Sequence, residues 1–169
     1  MTECDPEALL GVLAAHRVRF VVVGGFAAVA QGSPLPTYDV DVTPDLARDN
    51  LERLVQALED LRARIRTEGE PGGLPFRPDV ALLLGVTVLN LVTRLGELAL
   101  VLRPTGGLGY QELLDSAVHV ELGAVVVDLA SLEHVIRSKA AADGAKDRAA
   151  LPLLRALQER LREESSTAG

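Results

Sequence analysis

Apolar positions along the chain change period several times, and those changes outline its elements. Asp5-Pro6 reads as a helix N-cap followed by a first-turn proline. Leu9, Leu10, Val12 and Leu13 continue at helical spacing, which predicts a helix to about His16. Residues 19–23 are β-branched and aromatic, Gly24-Gly25 interrupts them, and 26–31 read as a short helix. Gly32, Pro34 and Pro36 mark a loop. Tyr38-Asp39-Val40-Asp41-Val42 then alternates with period two, a strand with one acidic face. Beyond Pro44, the positions Leu51, Leu54, Val55, Leu58 and Leu61 form the stripe of an amphipathic helix.

Residues 69–78, rich in Gly and Pro, read as the longest loop. Residues 86–92 and 97–102 form a hairpin pattern around Thr93-Arg94-Leu95-Gly96, and Gly106-Gly107-Leu108-Gly109 reads as a turn before a short helix at 110–116. A second hairpin, 118–122 with 124–128, turns at Gly123. Ser131 caps a helix to about Ala142, and 146–164 close the chain as a helical region that Pro152 should kink or restart. This order predicts an α/β or α+β fold, a mixed sheet flanked by helices. It forms a single domain over residues 1–164 with a frayed tail at 165–169.

Composition narrows the class. At 169 residues, 24% charged and 48% hydrophobic, the chain is long enough for a real core and reads as neither disordered nor membrane-spanning. Its longest nearly uncharged stretch, 80–92, is too short to cross a bilayer. A secretion-signal pattern is not apparent, and Cys4 is the single cysteine, so a reducing cytoplasm is expected and a disulfide framework or cysteine-rich zinc site is excluded. A net charge of −7 argues against a broad nucleic-acid-coating surface, and the absence of Trp argues against an RNA-stacking platform. Only Lys139 and Lys146 are lysine, in one short segment.

The informative chemistry lies between Val21 and Val42. A strand running into Gly24-Gly25 and then a helix offers backbone N–H groups to an anion, although two glycines after a strand also make a plain turn. Asp39 and Asp41 project from one face of the next strand, where two carboxylates repel unless a cation neutralises them. Oxygen-only donors suit Mg²⁺ or Mn²⁺, whereas the plain alternative is a solvated strand edge. A phosphate cradle beside a divalent-cation clamp is the minimum equipment for phosphoryl or nucleotidyl transfer. The third glycine of a dinucleotide-binding turn is missing, and no P-loop lysine follows. His16, His119 and His134 lack metal-ligand spacing. Ser33 reads as a turn residue before a possible phosphate donor, and Arg62, Arg64 and Arg66 as a solvated helix end before one lip of a polyanion groove.

Gly24-Gly25 followed by Thr37-Tyr38-Asp39-Val40-Asp41 resembles the signature of the DNA-polymerase-β-like nucleotidyltransferase superfamily. More narrowly, it is similar to small bacterial AbiEii-like proteins, grouped with the toxins of toxin–antitoxin pairs. Leu74-Pro75-Phe76, Thr93-Arg94-Leu95-Gly96-Glu97-Leu98, Gly109-Tyr110-Gln111-Glu112-Leu113-Leu114, Ala130-Ser131-Leu132-Glu133, Ser138-Lys139 and Lys146-Asp147 extend the resemblance over most of the chain. It implies a minimal nucleotidyltransferase fold that moves a nucleoside monophosphate from an NTP to a hydroxyl of tRNA, a protein or a small molecule. Mg²⁺ (or Mn²⁺) would be the cofactor, and a cognate antitoxin a partner. Gly24, Gly25 and Thr37 would meet the nucleotide, and Asp39 and Asp41 would hold the metal. Lys139 would reach a phosphate oxygen as a compact charge, with a solvated helix residue as the plain alternative. Lys146 and Asp147 would line the same cleft.

Three departures accompany these matches. A third carboxylate usual in such enzymes aligns with Ala99, and arginines common in relatives align with Leu35 and Gly144. Glu97 shares the strand parity of Ala99 and is the residue that could lean in as a substitute metal ligand. The alternative implied by Ala99 is a degenerate relative that binds nucleotide or a partner without catalysis.

Overall fold

A computed structural model describes residues 3–104 and 108–168. The elements run α1 (Pro6–Ala15), β1 (Phe20–Val23), α2 (Gly24–Ala30), β2 (Asp39–Pro44), α3 (Arg48–Asp60), β3 (Arg64–Thr67), β4 (Glu70–Leu74) and α4 (Val80–Leu84). They continue as β5 (Val88–Thr93), β6 (Gly96–Val101), α5 (Tyr110–Asp115), β7 (Val118–Leu122), β8 (Val125–Leu129), α6 (Leu132–Ala142) and α7 (Ala145–Ala168). The strands form one sheet in the order β4-β3-β5-β6-β2-β1-β8-β7. It is mixed: β2 with β6 and β1 with β8 are parallel, and the other pairs are antiparallel.

Alternation along the central strands divides the sheet into two faces. Val40 and Val42 of β2, Leu89 and Leu91 of β5, and Leu98 and Leu100 of β6 join Leu9, Leu10 and Leu13 of α1 and Leu51, Leu54 and Leu58 of α3 in one buried core. The intervening residues Asp39, Asp41, Asn90, Glu97 and Ala99 fall on the opposite face. Asn50, fully buried on α3, ties that helix to the start of β1. Its Oδ1 accepts from the Arg19 N–H at 2.7 Å, and its Nδ2 donates to the Arg19 and Asp45 carbonyls at 2.9 and 2.8 Å.

Several local expectations change. The segment 69–78 contains β4, which pairs with β3 at the sheet edge, where Pro71 and two glycines are tolerated because the strand has only one neighbour. Arg64 and Arg66 therefore lie on a strand rather than a helix end, and Arg62 takes a left-handed φ of 53° just after α3. Helix α4 is too short to show a period; its signal is Asp79, whose side chain accepts from the Leu82 N–H. Helix α2 begins at Gly24 rather than after the glycine pair. Helix α7 runs through Pro152 without a restart, its Leu151, Leu154 and Leu157 buried. It also continues past Ser165, where a frayed tail is expected, with the Thr167 hydroxyl donating to the Glu163 and Glu164 carbonyls at 3.0 Å. Gly106 and Gly107 of the expected turn lie outside the described residues. Among those described, no helix is long and apolar enough to cross a membrane.

Candidate active site

The acidic pair stands mid-sheet. On β2, Asp41 is paired with Val23 of β1 on one side and with Ala99 of β6 on the other, while Asp39 is paired with Glu97. Because β1 ends at Val23, the glycine bend follows immediately and is forced against Asp41. Gly24 has φ 68°, a left-handed conformation suited to glycine, and a Cβ there would lie 2.4 Å from Asp41 Oδ2. A Cβ on Gly25 would stand 3.2 Å from Thr37 Oγ1, whose hydroxyl donates to the Asp39 carbonyl at 3.3 Å. The bend thus packs against Asp41 and against Thr37 in the segment that leads into β2.

The Asp41 Oδ1 atom is buried with no hydrogen-bond partner. Burial, and then the charge of Asp39, push the Asp41 carboxyl up to about 7, against the opposing pull of Lys139 and Arg66. A buried carboxylate with an unpartnered oxygen, next to a second carboxylate, is a donor set that fits a hard divalent cation. The set stops at two: among the described residues, no cluster of three or more His, Cys, Asp or Glu side chains could hold a metal.

The C-terminal helices supply the positive side. Lys139 on α6 has its Nζ 3.6 Å from Asp147 Oδ1 on α7, and Asp147 Oδ2 accepts from the Gly144 N–H at 3.2 Å. Asp143 makes the turn between these helices at φ 51°. Two cavities meet at Asp41 and Lys139. One, of about 170 Å³, adds Gly24, Asp147, His134, Ser138 and an apolar wall that includes Val101, Leu113 and Val135. The other, a cleft of about 660 Å³, adds Gly25, Thr37, Asp39 and Lys146, with Leu35, Pro36, Tyr38 and Leu153 further along its lining.

Gly24, Gly25, Thr37, Asp39, Asp41, Lys139, Lys146 and Asp147 therefore gather around these two spaces, whereas Glu97 and the arginines Arg62, Arg64 and Arg66 do not. The Glu97 carboxylate accepts from Arg66 Nη1 at 2.7 Å, and both residues line a separate groove beside the β3–β4 hairpin. Ala99, buried and directly across from Asp41, occupies the position from which a longer acidic side chain would reach the pair. Leu35 lines the larger cleft as an apolar wall, and Gly144 meets Asp147 through its N–H. Ser33 is buried, accepts from the Leu35 N–H at 3.2 Å and also lines the larger cleft. The histidines are dispersed: His16 binds Asp60, His119 binds Asp128, and His134 meets Ser116. Sequence reasoning missed His134, Ser138 and Tyr38 as lining residues and Arg66 as the partner of Glu97. The period-two spacing of Arg64, Ile65 and Arg66 was the available signal for a strand there.

No protein-family model and no curated protein sequence matches the chain. Solved structures do. The lincosamide antibiotic adenylyltransferase LnuA, bound to lincomycin, superposes with a TM-score of 0.60 at 14% identity, over 92% of this chain and 99% of its own. The antibiotic-resistance factor ANT(2'')-Ia gives 0.51 at 16% identity, over 96% and 94%. A Thermotoga maritima protein provisionally assigned as a nucleotidyltransferase gives 0.51 at 15% identity, over 96% and 97%. The architecture, a mixed sheet flanked by helices, is that of the nucleotidyltransferase fold.

Proposed function

We propose that this chain is a metal-dependent nucleotidyltransferase that moves a nucleoside monophosphate from an NTP to an acceptor hydroxyl, releasing pyrophosphate. The observation that carries the reading is Asp41 seated against Gly24, its buried Oδ1 unpartnered, with Asp39 and Lys139 on the walls of the same cleft. In this reading Asp39 and Asp41 hold Mg²⁺ or Mn²⁺, which would neutralise the triphosphate and favour the acceptor hydroxyl as nucleophile. The Gly24-Gly25 bend and Thr37 flank the triphosphate. Lys139 balances phosphate charge, Asp147 positions the Lys139 ammonium, and Lys146 adds a second cation at the cleft.

A small-molecule hydroxyl is the acceptor best supported. LnuA, an adenylyltransferase of lincosamide antibiotics, has this fold, and the acidic balance of the chain disfavours long nucleic acids. The AbiEii-like assignment, with tRNA or protein as acceptor, a toxin role in the cytoplasm and an antitoxin partner, draws on the motif resemblance alone. Incubation with labelled NTPs, Mg²⁺ or Mn²⁺ and candidate acceptors tests the reaction. Label transfer that vanishes in Asp41→Ala is expected.

Ala99 favours a second reading, a nucleotide-binding relative without catalysis, because it leaves the pair short of a third carboxylate. NTP binding without transfer under any metal would establish that reading and displace the first.

A further inference from the structure

Tyr38 immediately precedes Asp39, yet its side chain is 79% exposed, the most exposed of the large hydrophobic side chains among the described residues. An aromatic ring left in water at the lip of a functional cleft is a binding surface in waiting, since its face gains contact only when another planar group covers it. Leu153, 46% exposed on α7, lines the same cleft, as do Leu35 and Pro36. Thus a single cleft is lined by two carboxylates, two lysines and the hydroxyls of Thr37 and Ser33 together with aromatic and aliphatic side chains. Its volume of about 660 Å³ is that of a small-ligand site, for which roughly 300–1,000 Å³ is usual. An NTP has the matching polarity in one molecule: a polyanionic tail and a flat, weakly polar ring.

We infer that Tyr38 is the stacking platform for the nucleobase of the donor NTP, with Leu153 closing the apolar part of the cleft. The inference rests on the nucleotidyltransferase reading and extends it to how the base is held. An aromatic face grips any base by its π surface, so Tyr38 sets affinity for the nucleoside rather than choice among bases. It also assigns the two cavities. The donor occupies the cleft shared by Tyr38 and Lys146, and the acceptor enters through the smaller, apolar-walled cavity, which meets that cleft at Asp41 and Lys139.

The chain has no Trp and two Tyr, so Tyr110→Phe leaves Tyr38 as the sole tyrosine, which is excited selectively at wavelengths beyond the phenylalanine band. Titration of that variant with ATP and Mg²⁺, corrected for absorption against free tyrosine, is expected to quench its fluorescence, whereas inorganic tripolyphosphate leaves it unchanged. By calorimetry, Tyr38→Ala is expected to weaken ATP roughly five- to 150-fold, the span of a base–aromatic stack, with tripolyphosphate affinity unaltered and Tyr38→Phe near the parent. Absence of quenching by bound ATP, or equal loss of both ligands in Tyr38→Ala, overturns the stacking role and leaves the transferase reading standing. Unchanged ATP affinity with a raised KM for the acceptor overturns it too, moving the ring to the other substrate. Failure of the unaltered chain to bind ATP removes both.

Discussion

At Gly24 two constraints coincide: a left-handed φ of 68° and an Asp41 oxygen 2.4 Å from where a Cβ would stand. Left-handed backbone costs a non-glycine residue about 1–2 kcal/mol, and the added methyl must also displace the carboxylate. Gly24→Ala is therefore expected to lower Tm by several degrees and to abolish metal-dependent nucleotide binding, measured by thermal unfolding with and without Mg²⁺ and an NTP. Asp41 makes a distinct claim about pH. Its carboxyl is raised from the usual 3.8 to about 7, so the folded chain holds a proton that the unfolded chain releases across that interval. Stability from this group is full below pH 4 and is lost as pH rises through about 7. Without metal, the melting temperature should decline over that window, and Asp41→Asn should flatten the decline and raise Tm at pH 8. Mg²⁺ affinity should move the opposite way, strengthening as the carboxylate ionises. A melting temperature in the parent indifferent to pH between 4 and 8 would contradict the account.

Registry between β2 and β6 determines what the departure at residue 99 means. Asp41 and Ala99 are direct neighbours on parallel strands, on one face, so an aspartate at 99 would place its carboxylate beside the existing pair. If the missing group is a general base, Ala99→Asp should raise the transfer rate roughly 10²–10⁴-fold, measured as initial rates under saturating NTP. Glu97, the register neighbour of Asp39, is instead paired with Arg66. Strand β2 was legible because its two-residue alternation is local, and so was the bend, since Gly24 and Gly25 follow directly on the apolar run of β1. The β3–β4 hairpin was not. Backbone pairing at a sheet edge asks little of side chains, and Gly69, Pro71, Gly72 and Gly73 carried the composition of a loop. The Arg66–Glu97 pair spans 31 residues, a separation at which periodicity is silent. Asn50 was equally hidden: a polar residue inside an apolar stripe becomes intelligible only once three backbone groups converge on it. Asn50→Ala should strand those groups and lower stability by about 2–3 kcal/mol, read by urea denaturation.

Across the whole molecule the cleft joins two parts of the chain that are far apart in sequence. Its acidic wall and glycine bend belong to the first 41 residues, and its lysines belong to α6 and α7. An acidic chain of net charge −7 would repel a polyanion, so a triphosphate can be drawn in only where Lys139, Lys146 and a cation on Asp39 and Asp41 locally reverse the sign. Nucleotide and metal should consequently depend on each other. A non-hydrolysable NTP with Mg²⁺ at a hundredfold above Kd should stabilise the fold by about 2.7 kcal/mol, or roughly 5–10 °C in Tm for a chain of this size. Either ligand alone should give much less: the triphosphate then faces two carboxylates, and the cation lacks phosphate oxygens to complete its shell. Lys139→Met should remove most of the joint shift while changing the unliganded Tm little, because the ion pair of this partly buried lysine with Asp147 is long, at 3.6 Å. A full shift in Lys139→Met would mean that α6 merely borders the cleft, and that the charge reversal must come from Lys146 and the metal alone.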